Sequence, residues 1–254
     1  MMPMLLINTR PKHRGQAIRQ MTDVTVIDLP LLDIQTLPMT QAEASMMRAW
    51  LDHHYDALVV TSVESARRAL EYLDNLNGGS DWQQTPPDAP IVAVGSATAK
   101  VLTDRGIPVI LPKIANNEGM LAMAEIQALT SGSRLLIWRG VGGRKLLNDT
   151  LKARGVKIDV IRWYERFIPA DLADNFQQNL TTINETADIF VIISSEMAYQ
   201  AWRGLLHHRR YRYLALGERL KNIIRAHEPD AMVDELVTLE PDEIRQVIHQ
   251  HSLA

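Results

Sequence analysis

Six short pairs in this chain could hold an anion or touch a reacting group. Thr9-Arg10, Thr61-Ser62, Arg139-Gly140 and Ser194-Ser195 each close an apolar run, and Gly95-Ser96 and Gly217-Glu218 are tight turns after two more. A parallel strand that ends in hydroxyls and feeds a helix sets O–H and backbone N–H groups beside the positive end of the helix dipole, where negative charge is best held. Any one pair is as well explained as a helix cap, contributing about 1 kcal/mol. Their recurrence at equivalent places favours a shared anion-binding edge. One phenol stands apart from the set: Tyr164, in the alternating run Arg162-Trp163-Tyr164-Glu165-Arg166. It can donate a proton or a hydrogen bond, although the run alone describes an ordinary half-buried strand residue.

Other chemistries are poorly served. There is no cysteine, which removes thiolate nucleophiles, disulfides and Cys-type zinc sites together. Gly140-Val141-Gly142-Gly143 follows a strand pattern, and Asp159 lies about 20 residues on, as a dinucleotide fingerprint requires. Lys145 stands where the third glycine belongs, however, and Asp159 falls inside the next strand. A nicotinamide cofactor is not expected. His53-His54, His207-His208 and His249-x-His251 could suggest a metal, but adjacent histidines point to different sides of a helix or strand and no carboxylate cluster accompanies them, so no metal is expected either. His207-His208-Arg209-Arg210-Tyr211-Arg212 is a basic run in a chain of formal net charge -3, which suits a solvated loop better than a nucleic-acid surface. No Ser-His-Asp arrangement, nucleophile elbow or phosphate loop is present.

The elements that must position these groups alternate. Met4 to Asn8 reads as a strand, His13 to Met21 as a helix and Val24 to Leu29 as a second strand. Leu31 to Thr36, between Pro30 and Pro38, reads as an extended linker. Helices over Gln41–His54 and Glu64–Leu73 flank a strand over Tyr55–Ser62, and Asp74 to Pro90 is a loop rich in turn residues. A strand from Ile91 turns at Gly95-Ser96 into a helix, Ile107–Leu111 is a short strand, and Met120–Leu129 is a helix. The opening pattern then returns: Arg134-Leu135-Leu136-Ile137-Trp138-Arg139-Gly140, a helix over Lys145–Arg154 and a strand over Val156–Ile161. Asp188 to Ser195 repeats Asp56 to Ser62, and Tyr213 to Gly217 repeats Ile91 to Gly95. Two copies of one βα unit imply parallel sheets covered on both faces, with ligands at the carboxyl ends of the strands.

At 254 residues, with 46% hydrophobic and 22% charged residues, the chain can form one large domain or two small ones. No apolar run approaches the roughly 18 residues that span a bilayer, and the N-terminus is too short for a signal sequence. A cytoplasmic protein is expected.

Over nearly its whole length the sequence resembles the uroporphyrinogen-III synthase family. The resemblance rests on Thr9-Arg10-Pro11, Leu29-Pro30-Leu31, Asp56-Ala57 through Thr61-Ser62, and Ala93-Val94-Gly95-Ser96-Ala97-Thr98-Ala99. Asn117-Glu118-Gly119, Arg139-Gly140-Val141-Gly142-Gly143-Arg144, Tyr164-Glu165 and Ser194-Ser195 continue it in order. It implies an α/β fold of two flavodoxin-like parallel-sheet lobes joined by a two-stranded linker. One lobe would take residues 1–35 and 168–254, the other the inserted 38–165, so that each combines the front of one copy with the back of the other.

The resemblance also implies a reaction. Linear hydroxymethylbilane is closed to uroporphyrinogen III with inversion of its last pyrrole ring and loss of water, without cofactor or metal. The monomeric enzyme would receive its substrate from hydroxymethylbilane synthase in a transient encounter. Tyr164 matches the family tyrosine that assists departure of the hydroxyl. Arg10, Thr61, Ser62, Gly95, Ser96, Thr98, Arg139, Gly140, Ser194, Ser195 and Gly217 match substrate-contacting positions. One departure is Glu218-Arg219, where the family often has a Thr-Ala pair. A carboxylate there would repel a polycarboxylate, and this keeps open an alternative, a tetrapyrrole-binding or sensor protein of the same fold without catalysis.

Overall fold

The computed structural model describes residues 4–12, 14–76, 87–143, 145–205 and 210–252. The start of the first predicted helix at His13, the turn-rich stretch 77–86, Arg144 and the His207-His208-Arg209 run lie outside the described residues. The chain divides into two compact units, Met1–Ile34 with Phe167–Ala254, and Gln35–Arg166.

In chain order the elements are β1 (Met4–Asn8), α1 (Gln16–Arg19), β2 (Thr25–Asp28), β3 (Asp33–Thr36), α2 (Gln41–Leu51), β4 (Ala57–Val60) and α3 (Val63–Leu76). There follow β5 (Ile91–Ala93), α4 (Ser96–Thr103), α5 (Asn117–Leu121), α6 (Ala124–Gln127), β6 (Arg134–Gly140), α7 (Leu146–Ala153) and β7 (Lys157–Phe167). The last third holds α8 (Leu172–Glu185), β8 (Asp188–Ile193), α9 (Glu196–Arg203), β9 (Arg212–Leu216), α10 (Glu218–His227), β10 (Met232–Leu236) and α11 (Pro241–Ser252). No described helix is long and apolar enough to cross a membrane.

The first unit holds the sheet β10-β9-β8-β1-β2, whose ladders all run parallel. β1 is buried at every position because both faces of the sheet are covered. Leu5 and Ile7 point to the layer of α8 and α9, with Phe176, Tyr199 and Trp202. Met4 and Leu6 point to the opposite layer, with Ile18, Ile244 and Ile248. Removing each such side chain from water stabilises the fold by about 1.5–3 kcal/mol.

The second unit holds β3-β7-β6-β4-β5, with parallel ladders from β7 through β5. One face carries α5, α6 and α7 on Val59, Leu135 and Ile137. On the opposite face an aromatic chain links Trp50 to Trp138, Trp138 to Trp163 and Trp163 to Tyr72, each edge to face at centroid separations of 5.1, 6.1 and 5.8 Å. The buried indole N–H groups of Trp50, Trp138 and Trp163 find no oxygen or nitrogen acceptor among the described residues. The quadrupoles of the neighbouring rings are what their positive edges meet.

The extended segment Leu31–Thr36 contains β3, which pairs beside β7, and the strand run 162–166 belongs to β7, which continues from the predicted Val156–Ile161 as far as Phe167, so the two crossings are paired strands as expected. Alternation over Ile161 to Phe167 supports this continuation, since extended pairing satisfies backbone groups that a bare linker would leave to water. Several local expectations are corrected. The helix expected over Met120–Leu129 is two short helices, α5 and α6, broken at Ala122-Met123. Ile107–Leu111 forms only an isolated parallel bridge between Val92 and Ile110. The first helix spans only Gln16–Arg19.

Candidate functional site

At the carboxyl ends of the second sheet lies a cavity of about 290 Å³. Each wall comes from a different strand end. β4 delivers Thr61 and Ser62, β6 delivers Arg139 and Gly140, and β7 delivers Tyr164 and Arg166. Asn116, Asn117 and Met120 enter from the start of α5, and Leu147 and Asn148 from the first turn of α7.

Tyr164 is aimed by a break in register. β6 and β7 pair Arg139 with Arg162 and then Gly140 with Tyr164, so Trp163 is an extra residue at the bulge. Trp163 joins the aromatic layer, and the Tyr164 ring lies flat over Gly140. A Cβ at Gly140 would sit 2.5 Å from the phenol Cζ, a close approach that only glycine permits. The backbone beyond is tied as well, since Val141 N–H donates to the Tyr164 carbonyl at 2.8 Å.

Tyr164 is only 4% exposed, yet it lines the cavity. Tyr164 O–H donates to Ser62 Oγ at 3.1 Å, and Arg166 Nη2 donates to the phenol oxygen at 3.4 Å. The Arg166 guanidinium stands 5.7 Å from the ring centroid. Ser62 also caps α3: its Oγ accepts from Ser65 N–H at 3.1 Å. Thr61 is internally engaged, its N–H and Oγ1 both donating to the Trp138 carbonyl.

Charge in the cavity is one-sided. Among the described residues Arg139 and Arg166 line it with three asparagines and the hydroxyls of Thr61, Ser62 and Tyr164, and no carboxylate does. Burial first, then the charge of Arg162, push the pKa of the half-buried Arg139 guanidinium down, against a smaller opposing effect of Tyr164. The Arg139 Nε donates to the Gly140 carbonyl at 3.2 Å. Gly142 and Gly143, both at positive φ, turn the loop beneath it, and a Cβ on Gly143 would lie 2.7 Å from Arg139 Nη2. A cavity with donors, two cations and a buried phenol can hold an oxyanion or a leaving hydroxyl and give it a proton.

Of the residues expected from sequence, Thr61, Ser62, Arg139, Gly140 and Tyr164 come together here. Gly95 caps the start of α4, with Ser96 exposed and Thr98 only 4% exposed behind it. None of these three lines the cavity. Arg10, Ser194, Ser195 and Gly217 belong to the first unit, at the carboxyl ends of β1, β8 and β9. There Ser195 Oγ caps α9, accepting from Ala198 N–H at 3.2 Å, and Gly217 caps α10. Burial, followed by Arg14, lowers the Arg10 pKa, and Glu240 opposes this. Glu218 is exposed in the first turn of α10, where its charge suits the helix dipole, and Arg219 bonds Glu196 at 2.7 Å. Among the described residues no three His, Asp or Glu gather as a metal site.

Sequence reasoning missed Arg166, Asn148, Asn116 and Met120 as lining residues. A signal existed for Arg166, two positions after Tyr164 and therefore on the same face of the strand. Asn148 carried none, because its place depends on how α7 sits over the glycine turn.

A family model described as uroporphyrinogen-III synthase HemD matches residues 15–239. The chain is 33% identical over 155 residues to the uroporphyrinogen-III synthase of Escherichia coli (strain K12), a match covering 57% of this chain and 59% of that protein. It is 31% identical over 155 residues to the uroporphyrinogen-III synthase of Salmonella typhimurium (strain LT2), covering 58% and 61%. The matched stretch thus spans about three-fifths of these relatives. Among solved structures, a mutant uroporphyrinogen III synthase of Thermus thermophilus superposes with a TM-score of 0.70 at 15% identity, over 99% of this chain and 100% of that one. Uroporphyrinogen-III synthetase of Helicobacter pylori 26695 superposes with a TM-score of 0.63 at 14% identity, over 98% and 100%. At such low identity these two likenesses establish the fold.

Proposed function

The chain belongs to the uroporphyrinogen-III synthase family, and from this premise we propose that it is a lyase that closes hydroxymethylbilane to uroporphyrinogen III in the cytoplasm. Its place would be in tetrapyrrole and heme biosynthesis. The two units are proposed to act as two domains, 1–35 with 168–254 and 38–165, in a monomer that takes its substrate from hydroxymethylbilane synthase.

The observation that carries this reading is the buried phenol of Tyr164, whose oxygen meets Ser62 and Arg166 beside a cavity lined by no carboxylate among the described residues. At about 290 Å³ the cavity suits one end of a linear tetrapyrrole rather than the whole molecule. The hydroxymethyl end is the part that must react. Turned from Ser62 toward the substrate, the Tyr164 O–H gives its proton to the departing hydroxyl, which leaves as water. Ser62 and Arg166 then hold the phenolate oxygen, and the conjugate cation forms on the terminal pyrrole. Attack on that cation through the substituted carbon of the last ring gives the spiro intermediate. Fragmentation and reclosure invert the ring, and the proton released as it regains aromaticity restores the phenol. One water is lost overall.

Without enzyme the same chain closes head to tail without inversion, so holding the tetrapyrrole in the productive curl is most of the task. Orientation of this kind contributes several kcal/mol in well-positioned systems. Arg10, Thr61, Ser62, Gly95, Ser96, Thr98, Arg139, Gly140, Ser194, Ser195 and Gly217 are the proposed contacts for its carboxylates. Freshly generated hydroxymethylbilane, incubated with the protein and oxidised for isomer separation, tests the reading. Type III product is expected, whereas type I product alone would leave only the non-catalytic binding protein.

A further inference from the structure

A second hollow, of about 360 Å³, shares Arg139, Gly140, Gly142, Gly143 and Asn148 with the Tyr164 cavity. Its remaining wall is Lys145, Asp149 and Lys152 from α7 with Val160 and Arg162 from β7. Among the described residues four cations and one carboxylate therefore face this space. Among the described residues Arg139, Lys145, Lys152 and Arg162 take part in no ion pair, whereas Arg134, Arg212, Arg219 and Arg245 all do. Asp149 lines the hollow, and Glu43 accepts the Arg162 backbone N–H at 3.2 Å and feels the Arg162 charge. Arg139 lies along the glycine turn between the two hollows, its guanidinium over Gly143.

Like charges gathered around a concavity, in a chain of net charge -3, are not a by-product of a basic surface. They repel one another, and the Arg139 pKa is lowered in part by Arg162. An anion between them removes that repulsion and gains charge-assisted hydrogen bonds, bidentate from the arginines and adaptable from the lysines.

The geometry points to an anion subsite formed by Arg139, Lys145, Lys152 and Arg162, which grips the side-chain carboxylates of a polycarboxylate whose reacting end lies at Tyr164. The identity of that polycarboxylate rests on the synthase reading; the subsite itself does not. Hydroxymethylbilane bears eight carboxylates distributed along its length, so a molecule with one end in the first cavity carries others past the glycine turn. A separate small polyanion would satisfy the same chemistry.

Calorimetric titration of the full chain with benzenehexacarboxylate tests the subsite directly. Binding of one equivalent is expected, weakened roughly tenfold or more in the double variant Lys152→Gln/Arg162→Gln. It should be unchanged in Arg67→Gln, which removes an exposed cation elsewhere. Absence of binding, or equal weakening in Arg67→Gln, would overturn the proposal. Steady-state kinetics identify the source of the carboxylates. A KM for hydroxymethylbilane raised roughly tenfold in the double variant, with kcat within about twofold and benzenehexacarboxylate competitive, assigns them to the tetrapyrrole. Unchanged KM with the calorimetric loss intact assigns the subsite to a separate polyanion. If no variant makes type III product yet benzenehexacarboxylate binds as described, the synthase reading fails and the anion subsite stands.

Discussion

The ring of Tyr164 rests on Gly140 across the register break between β6 and β7, so closely that a Cβ on Gly140 would meet Cζ at 2.5 Å. The glycine is thereby part of the phenol's mounting. Gly140→Ala should displace the ring, with an overpacking cost of about 1–3 kcal/mol, and lower turnover through misplacement of the hydroxyl. Urea unfolding and isomer-resolved product assays read both. A variant with wild-type midpoint and turnover would show that the ring shifts freely, contrary to this account.

Ser62 does two things, capping α3 and accepting from Tyr164. Ser62→Ala should cost about 1 kcal/mol of stability as a lost cap and reduce turnover. Ser62→Thr, which keeps the oxygen, should recover most of both. Failure of threonine to rescue turnover while it rescues stability would detach Ser62 from the chemistry.

Glu43 anchors the start of α2 through a capping box with Thr40 and also receives the Arg162 backbone N–H. Burial works to raise its pKa, but the bonds from Thr40 and Arg162 prevail and hold it below its ordinary 4.5. A depressed carboxylate stabilises the fold above its unfolded pKa, and this contribution is lost as pH falls through the folded one. Urea midpoints measured between about pH 3 and 6 should therefore fall more steeply toward acid in the wild type than in Glu43→Gln. Identical slopes would remove Glu43 from the acid response.

Tyr199 and Tyr213 share the carboxylate of Glu228, donating at 2.7 and 3.1 Å. Burial first, and then Glu228, push the Tyr199 pKa upward. For Tyr213 burial again leads in the same direction, with Glu228 adding to it against the hydrogen bond from Trp202. The unfolded phenols ionise near pH 10 while the folded ones resist, so stability is full below that pH and declines above it. The Tyr199→Phe/Tyr213→Phe double variant should be less stable at neutral pH but lose less between about pH 9 and 11. An equal alkaline loss in both proteins would count against this network.

Much of the fold was legible because parallel strands covered on both faces must be apolar throughout, and runs such as Leu5-Leu6-Ile7 and Leu58-Val59-Val60 are buried at every position. The repeated pattern also marked β1 and β6 as counterparts, and each is an inner strand paired in parallel with the strand that follows it in the chain, β2 and β7. Tyr164, Ser62 and Arg139 were legible as strand-end residues. Their mutual geometry was not, because a one-residue bulge at Arg139/Gly140 decides what the phenol faces. The break between α5 and α6 was equally hidden, since Ala122 and Met123 carry no helix-stopping side chain. Asn148 lines the cavity through the placement of α7 on Ile137, a tertiary fact.

The central claim is that the Tyr164 phenol supplies the proton on which water leaves. Rapid-quench, single-turnover conversion of hydroxymethylbilane by wild type and Tyr164→Phe, with products resolved as type I and type III, tests it most directly. Loss of a positioned general acid predicts a fall of roughly 10²–10⁴ in the type III rate, with the Tyr164→Phe protein folded and the spontaneous type I isomer taking over. A type III rate within about twofold of wild type would contradict the account.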